Sequence, residues 1–290
     1  MDRRTLLKTS LLGASALALG PVFARTVREP DVEARLAALE RRHGGRLGVA
    51  ILDTGSGRHC GHRADERFLM CSTHKLLTVG AVLARVDRGA ERLDRRVVFD
   101  RDVVLSWAPV TSKHVGAPGM SMAELCEAAI TVSDNTADNL LMDSFGGPAV
   151  VTVFARKLGD PLTRLDRHEP ELNVGAPGDL RDTTTPDAML GDLRTLLLGD
   201  ALSAVSRERL ATWLRATSTG LDKLRAGVPA DWQAGDKTGS GAQGETNDVA
   251  VFWPPRRKPL LVAAYYVNPA VETAERSAVL AEVGRIAASA

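Results

Sequence analysis

Leu47-Gly48-Val49-Ala50-Ile51-Leu52, followed by Asp53-Thr54-Gly55-Ser56-Gly57, sets the architecture of this chain. An uncharged apolar run that ends on a cluster of turn formers reads as a buried strand entering a hairpin. Such a strand needs further partners, and the next long stretch offers few. From about Ser72 to Leu214 the apolar spacing is mostly helical, over Ser72–Arg88, Ser121–Ile130, Thr136–Ser144, Gly147–Leu158, Thr185–Leu198 and Ser206–Ala216. Strand patterns return only in the last third, at Trp232–Ser240, Asp248–Trp253 and Leu260–Val267, before a closing helix from about Val271 to Ala287. An amphipathic helix over Val32–Arg42, stopped by His43-Gly44-Gly45, precedes the first strand. The expected fold is therefore α/β, of the α+β type. An antiparallel sheet built from both chain ends is flanked by helices and carries an inserted all-helical domain. The expected boundaries are residues 25–65 and 217–290 for the α/β domain and 66–216 for the helical one, with the active site in the cleft between them.

Residues 1–24 read as an export signal. Arg3-Arg4 precede an Ala/Leu-rich stretch from Leu6 to Leu19, and Val22-Phe23-Ala24 offers a small-residue cleavage pattern. The run Arg3-Arg4-Thr5-Leu6-Leu7-Lys8 resembles a twin-arginine signal, which implies a periplasmic or extracellular protein. No Cys lies near the cleavage site to carry a lipid anchor, and after residue 24 no apolar run approaches the roughly 20 residues that span a bilayer. With 37 basic and 36 acidic side chains, the net charge of +1 gives no broad footprint for nucleic acid or an anionic membrane. A small-molecule partner is expected. Cys60, Cys71 and Cys126 are an odd number in a chain large enough to need no stapling, and no disulfide is expected.

Ser72-Thr73-His74-Lys75 stands at the start of a predicted helix, where the three-residue spacing brings hydroxyl and amine to one face. Serine needs a neighbour to take its proton, as a partly desolvated lysine can. A helix N-terminus adds N–H groups that favour developing negative charge. The competing reading is a capping Ser followed by a solvated Lys. Composition favours chemistry: the chain has seven lysines against thirty arginines, so a lysine at a motif position is informative. Unlike Arg, Lys can lose its proton or act as a compact point charge. Ser133-Asp134-Asn135 and Lys237-Thr238-Gly239, the latter on a predicted strand, complete an ordered set.

That order, S-x-x-K, S-D-N, K-T-G, resembles the class A serine β-lactamases and their penicillin-binding relatives. Arg164-Leu165-Asp166-Arg167-His168-Glu169-Pro170-Glu171-Leu172-Asn173 is similar to the class A loop that carries the deacylating glutamate. The resemblance covers nearly all of the chain after the signal and implies hydrolysis of β-lactam antibiotics, without cofactor or metal, by a monomer. Ser72 would attack the lactam carbonyl while Lys75, or Glu169 through a water, removes its proton. Backbone N–H groups of Ser72 and Ser240 would form the oxyanion hole, and Ser133 would relay a proton to the departing nitrogen. Asn135 would hold the side-chain amide of the substrate; Lys237, Thr238 and Ser240 would receive its carboxylate. Glu169 and Asn173 would position the hydrolytic water, Arg167 would pair with Asp182 to close the loop, and Trp107 would wall the cleft mouth.

Three departures qualify the resemblance. The family's carboxylate-binding arginine is absent: Thr246 occupies the strand position and Lys223 the helical one, so Lys223 would substitute as a point charge without bidentate geometry. Cys71 matches a cysteine that some carbapenemases bridge to one beyond K-T-G, but that partner position is Gly241 here, and Cys126 has Val79 in place of its usual partner. These absences point to a penicillinase with some cephalosporin activity. Two further motifs are set aside. Gly239-Ser240-Gly241-Ala242-Gln243-Gly244 satisfies G-x-G-x-x-G but precedes a strand, not the helix a pyrophosphate needs. His59, Cys60 and His62 share one short hairpin segment without distant ligands. The competing functions keep the serine chemistry: a D,D-peptidase, or a penicillin sensor that acylates and stops, would not need Glu169 or Asn173.

Overall fold

The computed structural model describes residues 31–176 and 178–290, so the export signal expected over residues 1–24 lies outside the described residues. Helix α1 (Val32–His43) is capped by Asp31, and the chain leaves it through Gly44 and Gly45, both at positive φ. A side chain at Gly45 would strike the Val267 carbonyl at 2.6 Å, so only glycine lets the strand start this close to its neighbour. Strand β1 (Arg46–Asp53) then pairs antiparallel with β2 (His59–His62) on one side and β9 (Leu260–Val267) on the other. With β7 (Gln233–Ser240) and β8 (Glu245–Trp253), the sheet runs β2-β1-β9-β8-β7, antiparallel throughout. The sheet is thus assembled from both ends of the chain, as the buried first strand requires.

The central strands are apolar on both faces because both faces are covered. Along β9, Leu261, Ala263 and Tyr265 join the core shared with the inserted helices, while Leu260, Val262, Ala264 and Tyr266 join the core under α1 and α8 (Thr273–Ala288). Alternation of period two on a doubly covered strand gives a continuous apolar run. Each fully buried Leu or Val contributes about 1.5–3 kcal/mol before entropy is charged against it.

Between β2 and β7 lie β3 (Phe68–Leu69), α2 (Lys75–Asp87), β4 (Arg96–Val97), β5 (Met120–Ser121), α3 (Met122–Thr131), α4 (Asn135–Asp143), α5 (Pro148–Leu158), β6 (Thr183–Thr184), α6 (Pro186–Leu198) and α7 (Ala204–Arg215). This insert carries two short ladders, β3 with β6 and β4 with β5, that helical periodicity cannot reveal. Helix α2 is apolar nearly all round and fully buried along most of its length, as befits a helix wrapped by others. One expectation needs correction at its start. The helix does not begin at Ser72: Cys71–His74 form a 3₁₀ turn, and the α-helix starts at Lys75. The tighter turn stacks residues three apart, which brings Ser72 and Lys75 together more directly than an α-helical face would. No helix among the described residues is long and apolar enough to cross a membrane.

Candidate active site

Ser72, Lys75 and Glu169 meet where the 3₁₀ turn, α4 and the 164–182 loop converge. Lys75 Nζ donates to Ser72 Oγ at 3.1 Å, and Ser72 Oγ donates to Glu169 Oε1, also at 3.1 Å. The same carboxylate oxygen is 3.0 Å from Lys75 Nζ, and both ionic side chains are fully buried. Lys75 also reaches Ser133 O at 3.0 Å and Asn135 Oδ1 at 2.6 Å. Burial pushes the Glu169 carboxyl up, but the neighbouring Lys75 and then His74 outweigh burial and hold it below the usual carboxylate range. Glu169 is therefore an anion beside a hydroxyl.

The S-D-N turn supplies the wall above Lys75. Asp134 caps α4, accepting from Ala137 N at 2.9 Å, and its other oxygen takes Val110 N and Thr111 N at 3.0 and 2.9 Å. That carboxylate secures the turn and leaves Ser133 at φ 59°, a conformation held by its surroundings. Across the cleft, the buried Lys237 donates to Ser133 Oγ at 3.1 Å and to Thr238 O at 2.9 Å. Burial, followed by repulsion from Lys75, pulls the Lys237 ammonium down to about 7. The glycine of K-T-G has a steric cause: a Cβ at Gly239 would lie 2.8 Å from Met70 O and 3.2 Å from Ser72 N. Only a bare Cα lets this strand edge pass the nucleophile turn.

A 510 Å³ cleft opens over this arrangement, lined by Ser72, Trp107, Ser133, Asn135, Asn173, Lys223, Thr238 and Ser240, together with Thr219 and Gly239. Its size suits a small ligand. The region from Asp31 to Ala290 matches the model of the β-lactamase enzyme family. The chain is 44% identical to β-lactamase OXY-1 of Klebsiella oxytoca over 283 residues, covering 96% of each. An ancestral (GNCA) class A β-lactamase superposes with a TM-score of 0.87 at 60% identity, over 88% of this chain and 98% of that one. The putative class A β-lactamase PenP of Rhodopseudomonas palustris gives 0.87 at 56% identity, over 89% and 98%. The chain belongs to the class A β-lactamases. It is a hydrolase of β-lactams and an antibiotic-resistance enzyme.

In this class A β-lactamase the residues singled out by sequence converge. Ser72, Lys75, Ser133, Asn135, Glu169, Lys237, Thr238 and Ser240 come from distant parts of the chain to one cleft and its buried floor. Asn173 Nδ2 donates to Glu169 Oε2 in a short contact and to Pro170 O at 3.1 Å. Arg167 Nε pairs with the buried Asp182 at 2.6 Å, and Asp182 also accepts from Asp166 N and Arg167 N. Trp107 is half exposed at the mouth, its indole donating to Val132 O at 3.1 Å. Lys223 is buried beside Thr219 and Asp222, donating to them at 3.2 and 3.1 Å. Thr246 in β8 stands directly opposite Ser240 across the β7–β8 pair and accepts from Arg276 Nε at 3.1 Å. The three cysteines are free and buried. His59 and His62 bind separate carboxylates, Asp187 and Glu40, each at 2.9 Å, so the hairpin histidines do not converge.

Several residues that hold the site escaped the sequence reading. Asn139 clamps the backbone of Glu169 from both sides, donating to its carbonyl at 2.9 Å and accepting from its N–H at 3.0 Å. Asn247 donates to Leu69 O and Met70 O at 2.9 and 3.1 Å, tying the nucleophile turn to β8. Thr219 Oγ1 lies 2.7 Å from Thr238 Oγ1. Asn139 had one legible signal, its place one helical turn beyond Asn135; Asn247 and Thr219 had none.

Proposed function

We propose that Ser72 is the acylating nucleophile and that Glu169 drives deacylation. The observation that carries this reading is that Ser72 Oγ lies 3.1 Å from Glu169 Oε1, to which it donates, and 3.1 Å from Lys75 Nζ, which can take the serine proton only after passing one of its own to Glu169, 3.0 Å away. Attack on the lactam carbonyl forms the ester, with Ser72 N and Ser240 N receiving the oxyanion. Ser133 Oγ already accepts from Lys237 at 3.1 Å and Lys75 at 3.3 Å, so its own hydrogen is free to pass to the departing nitrogen. Lys237, Thr238 and Ser240 receive the substrate carboxylate, Lys223 adds a point charge, Asn135 holds the side-chain amide and Trp107 walls the mouth. Asn173 and Glu169 then orient the hydrolytic water.

Penicillins are the preferred substrates, with some cephalosporin turnover and no carbapenemase specialisation, because Gly241 and Val79 stand where the partners of Cys71 and Cys126 would be and all three cysteines are free. The enzyme acts as an exported monomer, its two lobes being 25–65 with 217–290 and 66–216. Intact-protein mass spectrometry after a penicillin pulse tests the mechanism. The wild-type mass returns quickly to that of free enzyme, whereas Glu169→Ala keeps the adduct, with turnover down by about a thousandfold. A stable adduct on the wild-type protein would instead support the sensor or peptidase reading.

A further inference from the structure

His74 and Asp138 lie beside this site, fully buried, with no part in the steps above. His74 Nδ1 is 2.8 Å from the Cys71 carbonyl oxygen, which can only accept, so Nδ1 carries a hydrogen. Nε2 is 2.7 Å from Asp138 Oδ2, and that contact needs one more proton, owned by either partner. Without it, a nitrogen lone pair would face a carboxylate, and an uncompensated charge would sit in the interior. Burial acts first on both groups, disfavouring their charges, yet mutual attraction raises the imidazole and lowers the carboxyl. One proton lies between Nε2 and Oδ2, and both directions favour its place on the imidazole, beside a carboxylate.

One His74 nitrogen and one oxygen each of Asp138 and Glu169 fall within 4.8 Å of one another. A metal is not what this triad calls for. Both His74 nitrogens are already bonded, and Lys75 Nζ supplies positive charge 3.0 Å from Glu169. The other titratable groups that face Glu169 are Cys71 and Lys75 on the nucleophile turn and α2, Asp138 on α4 and Lys237 on β7. Lys75 draws its carboxyl down most, His74 next, and Asp138 opposes them more weakly than His74 acts.

We propose that the His74–Asp138 pair is a positioning element for Glu169, a buried dipole whose positive end keeps that carboxylate ionised and so extends deacylation to acidic pH. The proposal rests on Glu169 as the deacylating base. Asp138→Asn isolates the charge: the amide nitrogen it introduces can donate to Nε2 of a neutral His74, so the hydrogen bond survives while both charges vanish.

The test is rapid-quench mass spectrometry with benzylpenicillin, following adduct growth and decay from about pH 4.5 to 8. With Asp138→Asn the acid limb of the decay moves to higher pH. Adduct decay is about three- to tenfold slower near pH 5, unchanged near neutrality, and adduct growth is within about twofold of wild type throughout. His74→Phe with Asp138→Ala, which replaces the pair by apolar groups, moves the limb the same way and guards against misfolding of the single variant. An unmoved acid limb in the folded double variant, or in Asp138→Asn, overturns the proposal. Glu169→Ala run alongside separates the two ideas: if it fails to stall decay, the reading of Glu169 is wrong; if it stalls and the limb stays put, only the dipole is wrong.

Discussion

The cleft floor holds two buried lysines that differ in what surrounds them. Lys75, on the helical side, faces the Glu169 carboxylate at 3.0 Å and the oxygens of Ser72, Ser133 and Asn135. Lys237, on the sheet side, is as deeply buried but hydrogen-bonds only a hydroxyl and its own strand's Thr238 carbonyl. Its nearest carboxylate by sequence, Asp236, is taken by Arg225. Desolvation is thus opposed by a contact ion pair at Lys75 and by nothing comparable at Lys237, which is pulled down to about 7. The difference fits two tasks. A lysine locked to an anion organises proton transfer, whereas one short of an anion is ready for the anion a substrate brings.

The largest test of this contrast is Lys75→Met. It strips Glu169 of its partner and Ser72 of a proton acceptor, and acylation should fall by about a thousandfold or more, measured as the rate of adduct growth. A loss of under tenfold would make the two lysines equivalent and break the comparison. A smaller effect is expected from Lys237→Arg, which cannot titrate. In the wild type, Lys237 is charged below about 7 and loses its proton as pH rises through that value, so kcat/KM for a penicillin declines on the basic side, mainly through KM. The Arg variant should start lower, because a bulkier guanidinium must replace a fully buried ammonium held by Ser133 and Thr238, yet lack that limb. A basic limb that persists assigns the titration elsewhere. Smallest is Lys223→Ala: KM for penicillins should rise about five- to tenfold with kcat little changed, since Lys223 already donates to Thr219 O and Asp222. Unchanged KM values would confine carboxylate recognition to Lys237, Thr238 and Ser240.

How much of this was legible follows from the range of the interactions. The strand at Leu47–Leu52 announced itself because an apolar run with Gly-rich punctuation is a local signal, and its partners could only be the strands near the other terminus. Ser72, Lys75, Ser133, Glu169 and Lys237 could be named because their residue types and order form a specific set. The 3₁₀ turn at Cys71–His74 could not, since the choice between i+3 and i+4 bonding there depends on packing against Asn247 and Gly239, far away in sequence. Asn139 lay hidden for a similar reason: its hydrogen bonds go to a loop thirty residues on.

His74 marks the boundary between the two kinds of knowledge. By itself the sequence determined which groups the site contains, because chemistry is carried by residue type and a buried strand or helix by short-range periodicity. Only the tertiary structure decided their charges. Whether His74 is an imidazolium, Glu169 an anion or Lys237 an easily discharged cation depends on burial and on partners brought within a few ångströms by folding, and neither quantity is written along the chain.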